Sequence, residues 1–350
     1  MIHHIANAIR SQALRFAPCL TKRNLITLAV AASLCVYWFF LMLPQMDRRS
    51  YDDNTSNVYL FAHMSRFSIT DTNLAARFPA WQPRVVSQML AGRVLDLVCP
   101  AGYTMKMVTW NGYKFGYGAV AFGIYQSAWL ALTFLAVLRF RPDAILVIPL
   151  VYAGLTYNLT IPSGSWFFPW DMPSMCLFTW AYLTWEAGRV QEFFLAAFLA
   201  CLFKETGVVL CLFPLLNRRW ISALALVAAG YAGRAFFMQQ CGVSTIALPW
   251  NNATGTADFF IKLWSQLGQN LTELLAFHLN SFFFAGCGLL VPLFFLNAKW
   301  QTKAVAGAFI AGQFGFGYAH EFREWEELLP LAACLASDNL RSEPETRSPA

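Results

Sequence analysis

Long apolar segments alternate with short polar links along most of the chain. The first apolar run extends from Leu25 to Leu43. The later runs lie at about residues 117–138, 142–161, 172–187, 191–203, 207–217, 220–238, 271–296, 304–319 and 326–337. A membrane helix needs about 20 apolar residues, and a thinned bilayer or packing inside a bundle would accommodate the shorter runs. The pattern therefore predicts an all-α fold, a polytopic transmembrane helical bundle of about ten helices.

A mixed segment at residues 44–116 separates the first apolar run from the others and predicts a long external loop. Within this loop Val85, Met89, Val94 and Val98 recur at helical spacing among polar residues. Such a segment is typical of a helix that lies in the membrane interface.

The composition favours membrane insertion over a soluble fold. Hydrophobic residues make up 57% of the 350 residues and charged residues 13%, whereas soluble domains are about 45–50% apolar and about 25% charged. The net charge is +6, but the basic residues form no stripe, so no nucleic-acid partner is expected. Most cysteines lie inside apolar runs as small hydrophobic residues. A disulfide between Cys99 and Cys241, in external segments, stays an open alternative.

The links on the two predicted sides of the membrane differ in charge. One set is basic and contains Arg139, Arg141, Arg189, Arg218, Arg219, Lys299, Lys303, Arg341 and Arg347. The N-terminal segment is basic as well, so the positive-inside bias assigns these links and both termini to the cytoplasm. The predicted domains are a cytoplasmic N-terminus at 1–24, a transmembrane domain at 25–337 that includes the external loop, and a polar tail at 338–350.

The external links hold the candidate chemistry, beginning with Asp52 and Asp53 just beyond the first apolar run. A carboxylate at the membrane surface can act as a general base toward an acceptor hydroxyl, or can help to hold a divalent cation. An ordinary solvated helix end is the alternative interpretation.

Lys204 and Glu205 interrupt a region that is otherwise continuously hydrophobic. Ionisable residues at membrane depth cost at least about 2.5–3.5 kcal/mol each, which makes them functional candidates. A lysine here can bind a phosphate. The alternative is a salt-bridged hairpin tip between two short helices.

Five further residues complete the candidate set. His320, Glu321 and Arg323 lie in one charged link, where a guanidinium suits a phosphate or a carboxylate and Glu321 could orient it. Asp171 follows an aromatic link and suits the first turn of a helix. Arg84, with other arginines of the loop, can bind an anionic headgroup or snorkel from the interfacial helix.

Three of these features resemble the GT-C superfamily of polytopic glycosyltransferases. They are the anchor helix followed by Tyr51-Asp52-Asp53, the Lys204-Glu205 break after an apolar helix, and Glu321-x-Arg323 followed by Leu328-Leu329-Pro330. The resemblance implies a bacterial inner-membrane enzyme that transfers a sugar from a polyprenyl-phosphate or polyprenyl-diphosphate carrier to an acceptor at the external face.

The resemblance also implies residue roles. Asp52 or Asp53 would be the base, and Lys204 or Arg323 would contact the lipid phosphate. The expected partners are a lipid-linked sugar donor and membrane lipid, with Mg²⁺ or Mn²⁺ as a possible cofactor. Two other classes stay open: a transporter or flippase for an anionic lipid-linked substrate, and a membrane assembly subunit without chemistry.

Overall fold

The structure, a computed structural model, describes residues 22–50, 84–98, 107–110, 113–142, 146–160, 170–240, 256–275, 298–317 and 322–342. These residues form mainly helices. The helices are α1 (Lys22–Ser50), α2 (Val85–Val98), α3 (Tyr117–Phe140), α4 (Val147–Thr160), α5 (Asp171–Glu186), α6 (Val190–Phe203), α7 (Leu212–Leu216), α8 (Trp220–Gln240), α9 (Thr256–Leu275), α10 (Trp300–Phe316) and α11 (Leu329–Ser342).

Shorter elements complete the fold. The 3₁₀ helices Glu205–Cys211 and Phe322–Leu328 lead into α7 and α11. An antiparallel hairpin of β1 (Met107–Trp110) and β2 (Tyr113–Gly116) leads into α3, with Met107 opposite Gly116. Apart from this hairpin, the described residues confirm the all-α class.

Helix α5 forms the centre of the bundle, because nearly all of its side chains are buried. It packs against α3, α6 and the Phe322–Leu328 helix. Its hydroxyl groups bond within the helix: Thr179 Oγ1 donates to the carbonyl oxygen of Met175 at 2.7 Å, and Thr184 Oγ1 donates to that of Trp180 at 2.8 Å. Such bonds to the preceding turn let a polar residue face an apolar core.

The tight antiparallel hairpin of α5 and α6 positions the candidate site. Gly188, in the connecting turn, has a φ of 70°, a conformation that favours glycine. Helix α5 has 16 residues and α6 has 14, so their lengths are about 24 and 21 Å at 1.5 Å per residue. Because the two arms are nearly equal, Asp171 at the start of α5 lies level with Lys204 just after α6.

Two of the described helical segments, Val120–Phe140 and Trp220–Gln240, are long and apolar enough to cross a membrane. Shorter apolar helices lie at Leu25–Leu41, Val147–Thr156, Val190–Phe203 and Glu205–Leu216. The two long helices favour membrane insertion. The count of about ten spans stays a prediction.

Helix α9 differs from the sequence-based expectation. The hydropathy pattern predicts a helix only from residue 271 onwards, whereas α9 begins at Thr256. Its buried face is polar: the Asn270 side-chain amide donates to the carbonyl oxygens of Phe314 and Gly317 at 2.7 and 2.9 Å and so caps the end of α10. Polar residues on the packed face broke the apolar run, which explains why hydropathy did not indicate this helix.

Candidate functional site

A buried cluster of charges surrounds Lys204. Its Nζ lies 3.0 Å from Glu327 Oε1, 3.4 Å from Asp171 Oδ1 and 3.7 Å from Glu326 Oε1. The lysine side chain is 1% exposed and the three carboxylate side chains are 0% exposed. Thr206 Oγ1 also donates to Glu327 Oε1 at 2.9 Å. One ammonium group thus joins the start of α5, the end of α6 and the Phe322–Leu328 helix.

Burial decides how much these contacts matter. Removing several charges from water costs several kcal/mol per ion, and only good geometry and further hydrogen bonds offset that cost. Deleting one partner of such a cluster is strongly destabilising, by about 3–5 kcal/mol, because the remaining charges stay buried. The loss of Lys204 should therefore destabilise this packing strongly, whereas the loss of a lysine on a solvated turn should not.

Glu205 forms a second ionic cluster beside the first. Its Oε2 accepts from Arg84 Nε at 3.0 Å and from Arg234 Nη2 at 3.3 Å, and its Oε1 accepts from Arg84 Nη2. Burial by itself would raise the pKa of the Glu205 carboxyl, but the two guanidinium groups outweigh this effect and lower the pKa to about 2. Glu205 is therefore a carboxylate over the whole physiological pH range.

Arg84 connects the two clusters and holds α2 against the bundle. Its guanidinium carbon lies 4.6 Å from the ring centroid of Trp170, the residue before Asp171. Further along α2, Ser87 Oγ donates to the carbonyl oxygen of Phe203 at 3.3 Å, and Tyr125 OH donates to that of Ser87 at 3.3 Å. Helix α2 is thus fixed to α3 and α6. We call the whole set the buried charge network: Arg84, Trp170, Asp171, Lys204, Glu205, Arg234, Glu326 and Glu327.

A sharp turn of the backbone after α6 allows Lys204 and Glu205 to belong to different ionic clusters. A Cβ atom at Gly207 would lie 2.5 Å from the backbone of Ala200 and Cys201. Only glycine permits so close an approach. The chain therefore folds back directly on α6 at this point.

The structure brings together four of the predicted site residues: Arg84, Asp171, Lys204 and Glu205. They form the salt-bridged hairpin tip that the sequence offered as an alternative, and ion pairs extend this tip to α2, α8 and the Phe322–Leu328 helix. Asp52, Asp53, His320 and Glu321 lie outside the described residues, as do Cys99 and Cys241. The backbone of Arg323 belongs to the Phe322–Leu328 helix.

Sequence reasoning missed Glu326, Glu327 and Arg234 as members of the network. A signal for Arg234 exists, because it is an ionisable residue inside the apolar run of α8. Glu326 and Glu327 belong to a charged stretch whose composition is typical of an external turn. Their burial depends on the contact with α5, which no local pattern indicates.

The described residues contain no group of three or more His, Cys, Asp or Glu side chains arranged to hold a metal ion. The carboxylates of Asp171, Glu326 and Glu327 surround the ammonium group of Lys204, which lies where a cation would have to bind. These carboxylates therefore do not fit a divalent cation. The expectation of Mg²⁺ or Mn²⁺ at Asp52 and Asp53 stays a prediction.

The fold and the network define a helical bundle with membrane-length helices and an internal ionic cluster at one end. Comparisons of the chain with protein-family models, curated proteins and solved structures gave no match.

Proposed function

We propose that this protein is a membrane-embedded glycosyltransferase of the GT-C type. It would move a sugar from a polyprenyl-phosphate or polyprenyl-diphosphate carrier to an acceptor at the external membrane face. The observation that carries the proposal is the contact of Arg84, from the first loop, with Glu205 and Trp170 at the helix ends. This contact fixes the start of α2, which follows Asp52 and Asp53 in the sequence, at the end of the bundle.

The location of the charges supports an enzyme over a transporter. Asp171 begins α5, Lys204 follows α6, and Glu327 lies two residues before α11, so these side chains gather at helix ends. Transporters bind their substrates near the bilayer midplane, typically between internal repeats. A charge cluster at one end suits a reaction between a lipid carrier in the bilayer and an acceptor outside it.

The mechanism assigns the chemistry to the aspartates. The carboxylate of Asp52 or Asp53 removes the proton of an acceptor hydroxyl. The acceptor oxygen then forms a bond to the anomeric carbon while the bond from that carbon to the carrier phosphate breaks, which inverts the configuration. The phosphate leaves with the electron pair of the broken bond, and the guanidinium of Arg323 stabilises its charge. Glu321 orients Arg323 or contacts a sugar hydroxyl, and His320 belongs to the same substrate-binding link.

Lys204, Glu205, Asp171 and Arg84 act as positioning residues in this proposal. Lys204 is 1% exposed within its carboxylate partners, so its contacts favour a role in holding the helix ends over direct contact with the lipid phosphate. A framework that is fixed before substrate binds lowers the cost of aligning the reacting groups.

The test measures the consumption of lipid-linked sugar by purified protein in liposomes. The substrate is a membrane lipid extract that contains radiolabelled polyprenyl-phosphate sugars, and the readout is release of the free carrier. Asp52→Asn, Asp53→Asn and Arg323→Ala should each be compared with the wild type, and we expect loss of turnover in Arg323→Ala and in at least one aspartate variant. Turnover by Lys204→Ala should be reduced because the helix ends are misplaced. Undiminished turnover in all four variants contradicts the proposal.

A further inference from the structure

Helix α10 runs from one end of the bundle to the other. Just before its start, Lys299 Nζ lies 2.9 Å from Oε2 of Glu186, the last residue of α5. In its last turn, the ring centroid of Phe314 lies 6.0 Å from that of Trp325 in the Phe322–Leu328 helix. Helix α10 is therefore antiparallel to α5, and it ends where the bundle holds the buried charge network.

Helix α9 crosses this last turn of α10 at a steep angle. Leu263 Cδ1 would lie 3.1 Å from a Cβ atom at Gly315. The Asn270 amide donates to the carbonyl oxygens of Phe314 and Gly317. Leu263 and Asn270 are about 10 Å apart along α9, yet their contacts fall within about 5 Å of α10. Helices that ran side by side would meet at positions that advance equally along both, so α9 lies across the bundle axis.

The exposed side of α9 is divided into two stripes. An apolar stripe covers an arc of about 100°. Its members are 45–79% exposed and are Phe260, Ile261, Trp264, Leu271 and Leu275. An adjacent polar stripe covers about 60°. Its members are also exposed and are Ser265, Gln269 and Thr272.

These properties together are those of a helix at a membrane surface. Although α9 has 20 residues, it is not apolar enough to be a membrane span. In a bundle whose long helices cross the bilayer, a helix across the bundle axis lies parallel to the membrane plane. Interfacial helices combine this direction with low overall hydrophobicity and separate apolar and polar faces. Trp264, within the apolar stripe, is of a residue type that collects at membrane interfaces.

We propose that α9 lies in the membrane interface, at the end of the bundle that holds the buried charge network. Its apolar stripe contacts lipid acyl chains, and its polar stripe faces headgroups and water. The apolar face of such a helix is buried about 5–10 Å into the boundary between headgroups and acyl chains. Because Asn270 caps α10, this contact fixes the end of α10 at the level of the membrane surface. The inference depends on membrane placement and on no step of sugar transfer.

Depth-dependent fluorescence quenching of the full-length protein in liposomes tests the inference. An environment-sensitive fluorescent amino acid replaces Trp264 in the apolar stripe or Gln269 in the polar stripe, both of which are exposed. The liposomes consist of phosphatidylethanolamine and phosphatidylglycerol, with a lipid that carries a nitroxide either near the headgroup or near the end of the acyl chain.

The shallow nitroxide should quench the label at position 264 several-fold more strongly than the label at position 269, and aqueous iodide should show the reverse order. As a control, the label replaces Tyr231, which is 52% exposed in the middle of α8. Because α8 is long and apolar enough to cross the bilayer, this label should be quenched more strongly by the deep nitroxide.

Three results would overturn the inference. They are equal quenching of the two α9 labels by the shallow nitroxide, stronger quenching of position 264 by the deep nitroxide than by the shallow one, and no quenching of position 264 by either. The second result would make α9 a membrane span, and the third would mean that protein covers the apolar stripe. If the protein labelled at Trp264 does not fold, Leu271 offers a second position in the same stripe with the same expected result. No sugar donor or acceptor is present, so the outcome is independent of sugar transfer.

Discussion

The two ends of the helical bundle use similar ion pairs in different surroundings. At the end where α3 finishes and α6 begins, which we call the arginine end, Arg139 and Arg189 pair with Glu192 at 3.1 and 3.0 Å. These side chains are 28%, 47% and 35% exposed. At the other end, the network end, Lys204 and its three carboxylate partners are at most 1% exposed.

This difference shows that the burial of an ion pair, more than its distance, decides its consequence. Exposed pairs are worth about 0–1 kcal/mol because water solvates each partner well. A buried pair gains little over an apolar contact, but the loss of one partner is severe. Substitutions at the arginine end should therefore cost little stability, and its basic residues can act mainly through the positive-inside bias. At the network end, the loss of any one charged partner should destabilise the protein.

The largest expected effect is at Lys204. Lys204→Met leaves Asp171, Glu326 and Glu327 buried without their shared ammonium group and should destabilise the protein by about 3–5 kcal/mol. Thermal unfolding in detergent measures this as a fall in the apparent Tm. The matched control is Arg139→Met at the arginine end, which should change stability by at most about 1 kcal/mol. Equal falls in the apparent Tm of the two variants would contradict the claim that buried and exposed ion pairs differ in their consequence.

The next effect concerns pH and Glu205. Its pKa is about 2 in the folded protein, against an ordinary value of 4.5. The carboxylate therefore contributes stability that is complete above about pH 4.5 and is lost as the pH falls toward about 2. The difference in apparent Tm between wild type and Glu205→Gln should be constant from about pH 5 to pH 8 and should shrink by about half at pH 3. A difference that does not change with pH would contradict the ion pairing.

A smaller effect should follow when α2 loses its contact with Glu205. Arg84→Gln removes the bidentate contact with Glu205 and the stacking on Trp170, so α2 should open more often. Hydrogen exchange of the Val85–Val98 amides should accelerate about tenfold, which corresponds to about 1.4 kcal/mol. Arg84→Lys, which keeps the charge without the planar fork, should be intermediate. Unchanged exchange in both variants would mean that other contacts hold α2.

The smallest effect is expected at the arginine end. A double-mutant cycle on Arg139 and Glu192 should give a coupling energy of at most about 1 kcal/mol, and added salt should reduce it further. A coupling above about 2 kcal/mol would show that stability depends as strongly on the ion pairs of this end as on those of the network end.

The sequence predicts the all-α class and most of the described helices because apolar runs and helix ends are local properties. The α5–α6 hairpin follows from two runs of similar length with a glycine turn, and this already brings Asp171 and Lys204 to one end. The alternation of charged links likewise predicts that Arg84 and Glu205 share that end.

The sequence does not reveal the pairing partners, because these depend on contacts between distant segments. Glu326 and Glu327 look like a solvated turn until α5 packs over them. Trp170 looks like an interfacial aromatic residue, yet it is 1% exposed beneath Arg84. The hydropathy pattern does not indicate helix α9 because the polar residues Gln266 and Asn270 occupy its packed face.

The most direct test of the account compares sugar transfer after equal charge changes at the two ends. Carrier release from radiolabelled polyprenyl-phosphate sugars should be measured in liposomes for wild type, Arg84→Gln and Arg139→Gln. The account predicts a loss of at least about tenfold in Arg84→Gln, the cost of one charge-assisted contact, and wild-type turnover in Arg139→Gln. Equal turnover in all three proteins, or an equal loss in both variants, would contradict the claim that the network end is the active end.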